Sequence, residues 1–467
     1  MQIIDAAQYD DHWIAKSRFE SARASESDSV DSTVREIIKA VRSEGDAALR
    51  RYAKKFDKTS PEQLEVPIGK AETAWKDLSI SEKETADALE LAARHIKSFA
   101  ELQRKQFTDF ETEMDKGLYT GQKVIPVERA AVYVPAGRFP LFSSVLMGVI
   151  PALAAGVEEI ILASPPMEDG IPDRRILAAA ALALKIGGGT ASCLRLFAMG
   201  GAQAVAALAL GTETIPRASV IVGPGNKYVA AAKRMLYGEV GIDFIAGPTD
   251  VLVIIDKDSI DEESIDKNIN DGKPNLAELA ATDMLAQAEH DPDARARALA
   301  PNRSMAEKIA AALEIQLAAL PDESRSTAAA SLDAGGLIIV YRTKEEAIRI
   351  ANIIAPEHLE LFTENPGPWV SAEMPGVYLK NYGSLFTGSL AAEVLGDYSA
   401  GINHTLPTSG SARFTGGLSV RHFLKTVTTL RCSPGAGFEA ARQAAEILGR
   451  AEGLTAHSRA AIARRQQ

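Results

Sequence analysis

Apolar positions recur at intervals of three and four from Ser29 to about Gln106, as at Val34, Ile37, Ile38 and Val41 and again at Leu89, Leu91 and Ile96. That spacing predicts a helical N-terminal region. Short β-branched runs follow at 131–134, 159–163 and 218–222, separated by Ala-rich helical stretches at 146–155 and 175–185. Strand and helix in alternation predict a parallel, doubly wound sheet. A second block opens with the strand 250–256. It continues through an amphipathic helix around Met284, an Ala-rich helix at 304–320, a strand at 337–341 and another strand near 377–379. The last piece, 438–465, reads as an Ala-rich amphipathic helix with a basic tail, an appendage suited to packing on a partner subunit. Two α/β domains with helical segments at both termini form the simplest assembly.

Length and composition agree with that assembly. The chain has 467 residues, 46% hydrophobic and 24% charged, more than a single core normally serves. Its formal net charge of -11 argues against a nucleic-acid surface, which needs clustered Lys and Arg, and points to a small-molecule partner. The N-terminus lacks the basic and apolar regions of a secretory signal. The longest apolar run, around 145–155, is broken by Gly148 and Pro151 and is too short to span a membrane. A cytoplasmic location without membrane contact is expected. The region 258–274 is polar and acidic, with Asn268, Asn270, Gly272 and Pro274, and reads as a solvated insertion. Cys193 and Cys432 lie outside any CxxC pattern. Reduced, partly buried thiols are therefore expected, and any metal must be held by nitrogen and oxygen.

Chemistry concentrates in short polar islands. Gln287 and His290 stand three apart at the end of a helical pattern, so both can face one ion. Imidazole and amide oxygen suit zinc or a similar divalent ion, with Asp397 adding negative charge and His457 a second nitrogen. Glu357-His358 pairs a carboxylate that can activate water with an imidazole that moves protons near neutral pH, after a backbone fixed by Pro356. Gly223-Pro-Gly-Asn226 follows a strand and precedes a helix, where the helix N-terminus favours phosphate. It lacks the GxGxxG spacing, so a tight turn is the alternative. Gly200-Gly-Ala-Gln203 is equally ambiguous. Tyr133 ends a strand, where it could stack on a cofactor or sit in the core with its hydroxyl at the edge. Arg138 could meet an anionic substrate or a surface carboxylate.

Together these segments resemble the histidinol dehydrogenase family over nearly the whole chain. The matching stretches, in order, are Tyr133-Val-Pro, Phe142-Ser-Ser-Val-Leu-Met147, Gly200-Gly-Ala-Gln-Ala204, Gly223-Pro-Gly-Asn226, Ile242-Asp, Ala246-Gly-Pro248, Gln287-Ala-Glu-His-Asp291, Pro356-Glu-His-Leu359, Gly396-Asp-Tyr398, Asn403-His-Thr-Leu-Pro-Thr408 and Glu452-Gly-Leu-Thr-Ala-His457. The resemblance implies a zinc enzyme with two incomplete Rossmann-like domains that works as an intertwined homodimer. It implies that Gln287, His290 and Asp397 bind zinc and that His457 completes the site from the other subunit. Glu357 and His358 would be the acid/base pair. Tyr133, Gln203 and Asn226 would line the NAD site. Ser143, Thr249, His404 and Glu452 would surround the substrate together with Gln287, His290, His358, Asp397 and His457. The implied reaction oxidises L-histidinol through L-histidinal to L-histidine with two NAD, the last step of histidine biosynthesis.

The implied division is a helical N-terminal part of the first α/β domain at 1–128, an NAD-binding Rossmann-like domain at 129–247, the remainder of the first α/β domain with the zinc and acid/base residues at 248–408, and a dimerisation segment at 409–467. Thr249-Asp250 replaces the family's usual Ser-Glu, Pro135-Ala-Gly137 with Arg138 replaces Pro-Gly-Gly, and the acidic insertion is unusual. Thr249-Asp250, Gly137-Arg138 and Thr415-Gly-Gly-Leu-Ser-Val420 look like features of a sister branch, the sulfopropanediol dehydrogenases. An anionic sulfonate would need Arg138 or another cation, and Glu452 would oppose it. His404 and Glu452 suit an imidazole, so histidinol is preferred. A non-catalytic scaffold of the same fold is the third reading, disfavoured because the ligand set and acid/base pair are complete.

Overall fold

The structure, a computed structural model, describes residues 1–6, 23–57, 59, 61, 63–136, 140–259, 275–371 and 377–465, with the backbone alone at 23–28 and 259. Gly137, Arg138 and most of the acidic insertion lie outside the described residues. The opening strand β1 (Gln2–Asp5) joins the second of two large sheets, far along the chain from its neighbour. Helices Arg23–Glu44, Ile68–Ser81 and Lys83–Lys105 carry the three-and-four spacing noted above. The short strand β2 (Glu65–Val66) interrupts them. Strands β3 (Phe110–Asp115) and β4 (Leu118–Pro126) then form an antiparallel hairpin.

The first large sheet contains β5 (Arg129–Tyr133), β6 (Glu159–Ser164), β7 (Leu194–Ala198), β8 (Val220–Val222) and β9 (Gly241–Ile242). Its order is β2-β7-β6-β5-β8-β9, parallel except for β2. Alternate residues explain why these strands read as continuous apolar runs. Ala130, Val132, Ile160 and Leu162 face the core under helices Ser143–Ala155 and Arg174–Gly187. Ala131, Tyr133, Ile161 and Ala163 face the opposite core under Gly201–Leu210 and Lys227–Leu236. Both faces are covered, as parallel sheets require.

The second sheet has the same plan. Strands β10 (Asp250–Ile255), β11 (Arg295–Ala300), β12 (Leu337–Val340), β13 (His358–Phe362) and β14 (Ser384–Thr387) pair in the order β1-β12-β11-β10-β13-β14, all parallel. Val251, Val253 and Ile255 enter one core and Leu252 and Ile254 the other. In both sheets the chain reverses direction of winding beside its first central strand, β5 or β10, which is where doubly wound sheets open a crevice.

Three local expectations change. The strand expected near 377–379 lies later, at Ser384–Thr387, because hydrogen bonding to β13 starts only after Gly383, whose Cβ would collide with the Glu357 carbonyl oxygen at 2.5 Å. The single C-terminal helix is two, Ala436–Ala451 and Thr455–Ile462, broken at Gly453 with φ 78. Before them β15 (Leu424–Cys432) pairs with β4 and closes a third, antiparallel sheet that sequence pattern alone does not predict. Both cysteines are free, and Cys432 is exposed rather than partly buried.

Helix Ser143–Ala155 lies directly on β5, and a Cβ at Gly148 would approach Val132 Cγ1 to 2.4 Å. Gly148→Val is expected to lower stability by about 1–3 kcal/mol through overpacking. Urea unfolding should show a lower midpoint at unchanged slope.

Candidate active site

The candidate acid/base pair, Glu357 and His358, sits at the N-terminal edge of the second sheet. Helix Lys344–Ile354 ends at Ala355, a non-glycine residue in the left-handed region at φ 48. Pro356 follows, and the chain turns abruptly into β13 with Glu357 and His358 at its mouth. Strand register sets Val251 opposite His358, which brings Thr249 and Asp250 beside Glu357. Two reciprocal bonds fix that pairing: Glu357 N–H donates to Asp250 Oδ1 at 2.8 Å, and Asp250 N–H donates to Glu357 Oε2 at 3.2 Å. The Thr249 hydroxyl also donates to Glu357 Oε2.

Helix Leu276–Ala288 runs back against β10, so its last turn reaches the same edge. Gln287 there is buried and donates its amide N–H to Thr249 Oγ1 at 2.7 Å. Its Oε1 is left buried without a hydrogen-bond partner. Asp397, in the helix Glu393–Tyr398, places Oδ1 3.4 Å from His358 Nε2. His290 is exposed just beyond the helix end, within electrostatic reach of Asp397. Gln287, His290, Asp397, Thr249, Glu357 and His358 are therefore drawn to one edge from four separate segments.

His404 is half-buried, with Nδ1 2.9 Å from the Asp397 carbonyl oxygen and Nε2 3.1 Å from Ser144 Oγ. Asn403 donates to the Met147 carbonyl at 2.7 Å. These contacts tie the second sheet to the start of the helix that follows β5. The C-terminal edge of the first sheet thus faces the N-terminal edge of the second. Ser143 lies half-buried at that junction, beside the serine that His404 touches. Glu452 and His457 are not drawn in; both are exposed on the C-terminal helices.

The cofactor candidates line the C-terminal edge of the first sheet. Tyr133 is buried, and its hydroxyl accepts the Gly201 N–H at 3.0 Å. Its ring belongs to the core, and burial pushes the phenol up to about 12. Gln203 is buried in the first turn of the helix that begins at Gly201. Exposed Asn226 caps the helix Lys227–Leu236, its side-chain oxygen accepting from Tyr228 N and Val229 N. A backbone approach at Gly223 to Gly225 and a helix N-terminus together make a phosphate-compatible edge.

Electrostatics single out residues that sequence reasoning missed. Glu393 is buried one helical turn before Asp397, and its Oε2 lies 3.8 Å from His358 Nδ1. Glu360, two residues beyond His358 and so on the same strand face, accepts the Glu393 N–H at 2.8 Å. Asp283, one turn before Gln287, shares a side-chain hydrogen bond with Glu360. Burial pushes Glu393 up to about 8 and Glu360 well above the carboxylate range. Burial likewise raises Glu357 to about 7, against the pull of His358 and Thr249. His358 is pulled down by burial, but the surrounding charges of Glu357, Asp397 and Glu393 outweigh that and bring it to about 10. Spacing of i,i+4 from Gln287 and Asp397 was the available signal for Asp283 and Glu393. Nothing in the sequence links the two helices.

Whether these residues fit a metal turns on the donor set. Among the described residues no three His, Cys, Asp or Glu side chains of one chain converge to hold an ion. The free oxygen of Gln287 and the carboxylate of Asp397 fit a hard or borderline divalent ion, with His290 close by. The set is compatible but incomplete within one chain.

Similarity to known proteins agrees with the sequence resemblance. The profile described as "Histidinol dehydrogenase" matches residues 20–465. The chain is 43% identical over 451 residues to a histidinol dehydrogenase of Thermus thermophilus, covering 96% of this chain and 98% of the relative. It is 42% identical over 437 residues to that of Aquifex aeolicus, covering 93% and 92%. The crystal structure of histidinol dehydrogenase from Elizabethkingia anophelis superposes with a TM-score of 0.80 at 34% identity, covering 93% of this chain and 91% of that one. With its fold, its edge-on site and its length all accounted for, the chain belongs to the histidinol dehydrogenase family.

Proposed function

We propose that the protein oxidises L-histidinol to L-histidine with two equivalents of NAD, using a divalent zinc ion, in an intertwined homodimer in the cytoplasm. Family membership supports the NAD-dependent oxidation of this small polar alcohol. No helix among the described residues is long and apolar enough to cross a membrane. The single observation that carries the site is the Thr249 hydroxyl. It accepts from the Gln287 amide and donates to Glu357, joining the ligand side of the site to the acid/base side. Because Gln287 Nε2 is occupied in this way, its oxygen is the atom aimed at an ion.

In this reading Gln287, His290 and Asp397 hold the zinc, with the partner's His457 as the fourth ligand. Exposure of His457 and Glu452 in one chain, beside exposed Ile447, Leu448 and Leu454, supports a second subunit covering them. Bound there, zinc supplies a fixed positive charge that orients the substrate. NAD, on the edge lined by Tyr133, Gln203 and Asn226, supplies the hydride acceptor. With zinc on Asp397 offsetting the carboxylate charge that holds His358 protonated, the neutral imidazole takes the hydroxyl proton through Nε2, while Glu393 faces its other nitrogen and orients the ring. Glu357 then removes a proton from the water that adds to the aldehyde. Ser143, His404 and the partner's Glu452 frame the substrate. Overall, alcohol, water and two NAD⁺ give carboxylate, two NADH and three protons.

The deciding experiment is NADH yield from zinc-loaded protein with L-histidinol and, separately, with 2,3-dihydroxypropane-1-sulfonate. About two NADH per histidinol and no turnover of the sulfonate is expected; the reverse pattern would transfer the assignment to the sulfonate branch. Gln287→Ala should lose bound zinc, read by elemental analysis. Thr249→Val is expected to lower turnover about 10- to 100-fold, the cost of unpairing the buried Gln287 and Glu357 groups, whereas Thr249→Ser should stay near wild type.

Glu357 acts as a base only when unprotonated, and its raised pKa moves that requirement up from the ordinary carboxylate range to about 7. With L-histidinal as substrate, the rate should therefore rise as pH passes through about 7. Glu357→Gln should abolish this rising limb and slow aldehyde oxidation by roughly 10²- to 10⁴-fold. Steady-state pH profiles of both proteins test it, and an unchanged limb in the variant would reassign the base.

A further inference from the structure

We infer that the buried ion pair Lys233–Asp243 is a positioning device for the cofactor, locking the root of the 223–226 loop so that its backbone is preset for the dinucleotide's phosphates. The inference rests on the reading of this loop as part of the NAD site.

Lys233 lies two turns inside the helix that Asn226 caps, among the buried residues Val229, Ala230, Ala231, Ala232 and Leu236. Its side chain is 3% exposed, and that of Asp243, just past β9, is 0% exposed. Lys233 Nζ donates to Asp243 Oδ1 and to the Gly223 carbonyl oxygen, each at 2.6 Å. Asp243 Oδ2 accepts the Gly223 N–H at 2.8 Å, and Oδ1 also accepts Phe244 N–H at 2.8 Å. Opposite charges therefore hold the N–H and the C=O of one residue. Gly223 itself has φ +113 and leaves no room for a Cβ, which would meet the Tyr133 carbonyl oxygen at 2.1 Å. The turn is thus pinned to β5 by packing, to β9 by Asp243 and to its own helix by Lys233.

Packing alone does not call for these charges. A buried ion pair is often no more stabilising than apolar residues of similar volume, and the rest of this helix face is apolar. What the pair adds is a direction for one peptide unit at the crevice, where β8 delivers the chain to a helix N-terminus. Groups fixed before binding need not be ordered by the ligand, so affinity rises without a new contact. Neither residue is placed to touch the cofactor. Both act through Gly223.

The test is the neutral pair Lys233→Gln/Asp243→Asn, which keeps hydrogen-bonding atoms but removes the charges. NADH binding, followed by its fluorescence, should weaken by about tenfold or more, while turnover at saturating NAD and the KM for histidinol stay within about twofold. Amide hydrogen exchange of the unliganded protein should be faster at 223–228 in the variant. A variant with a lower melting temperature but unchanged NADH affinity would overturn the inference, since that is the behaviour of a purely structural pair. If the neutral pair does not fold, Lys233→Arg, which keeps the charge with a different reach, is judged by the same affinity criterion. The underlying reading fails separately: NADH added to the wild type should protect amides at 200–204 and 223–228, and protection at neither would remove the cofactor from this edge.

Discussion

Carboxylates withdrawn from water must be protonated, paired or ligated, and around His358 that constraint organises three separate elements. Glu357, Glu393 and Asp397 converge on one imidazole, and Glu360 and Asp283 stand behind Glu393, all but Asp397 buried. No packing requirement brings them together. Each of the three elements carries its polar groups at the interval that puts them on one face: His358 and Glu360 on β13, Glu393 and Asp397 one turn apart, Asp283 and Gln287 one turn apart. The resulting arrangement has an outer row, Gln287, His358 and Asp397, and a supporting row, Asp283, Glu360 and Glu393. The side-chain hydrogen bond between Asp283 and Glu360 requires a shared proton, and burial, which pushes the carboxyls of this row up, favours it over mutual repulsion.

This architecture explains why the site lies at an unusual edge for a doubly wound sheet. In the first sheet the glycine turns follow strand ends, at the crevice where ligands normally bind. In the second sheet the corresponding crevice is closed. Asp256 there accepts from Thr363 Oγ1 at 2.6 Å and from Trp369 Nε1 at 3.0 Å, and Trp369 is fully buried. The opposite edge is used instead, and helix Leu276–Ala288, running against the strands, brings its C-terminal turn to it. One Rossmann-like unit therefore presents its strand ends and the other its strand starts, with Asn403 and His404 joining them.

Much of this was legible in the sequence where it depends on local pattern. Buried parallel strands have to be apolar throughout, so β5, β6, β10 and β12 announce themselves, as do the helices between them. Gln287 with His290 and Glu357 with His358 were visible because they are close in sequence. What was hidden depends on pairing across long separations. β15 pairs with β4 some three hundred residues earlier, and the nine-residue strand is largely exposed, so it carries no apolar signature. β1 crosses to the far sheet, which no periodicity records. Glu360 and Glu393 read as ordinary charged positions, and Lys233 as one more basic residue on a helix. Burial changed their meaning, and burial is set by tertiary contacts.

The proposed division of labour between the two edges bears on a reaction that oxidises one carbon twice. Between the two hydride transfers the reduced cofactor has to leave and a second NAD⁺ has to enter, while the aldehyde stays in place. If both sets of groups belonged to one loop, release of the first cofactor would disturb the intermediate. Here the proposed cofactor contacts hang from β5, β7 and β8, anchored by Tyr133 to Gly201 and by the Lys233–Asp243 pair to Gly223. Apart from Ser143, the groups of this chain proposed to hold the zinc and carry the acid/base steps hang from β10, β13 and two helices of the other sheet, anchored by Thr249, Asp250 and Glu360. Each anchor closes within its own sheet. On the proposed reading, cofactor exchange at one edge would leave the hydrogen bonds of the other intact and keep the aldehyde positioned for attack by water.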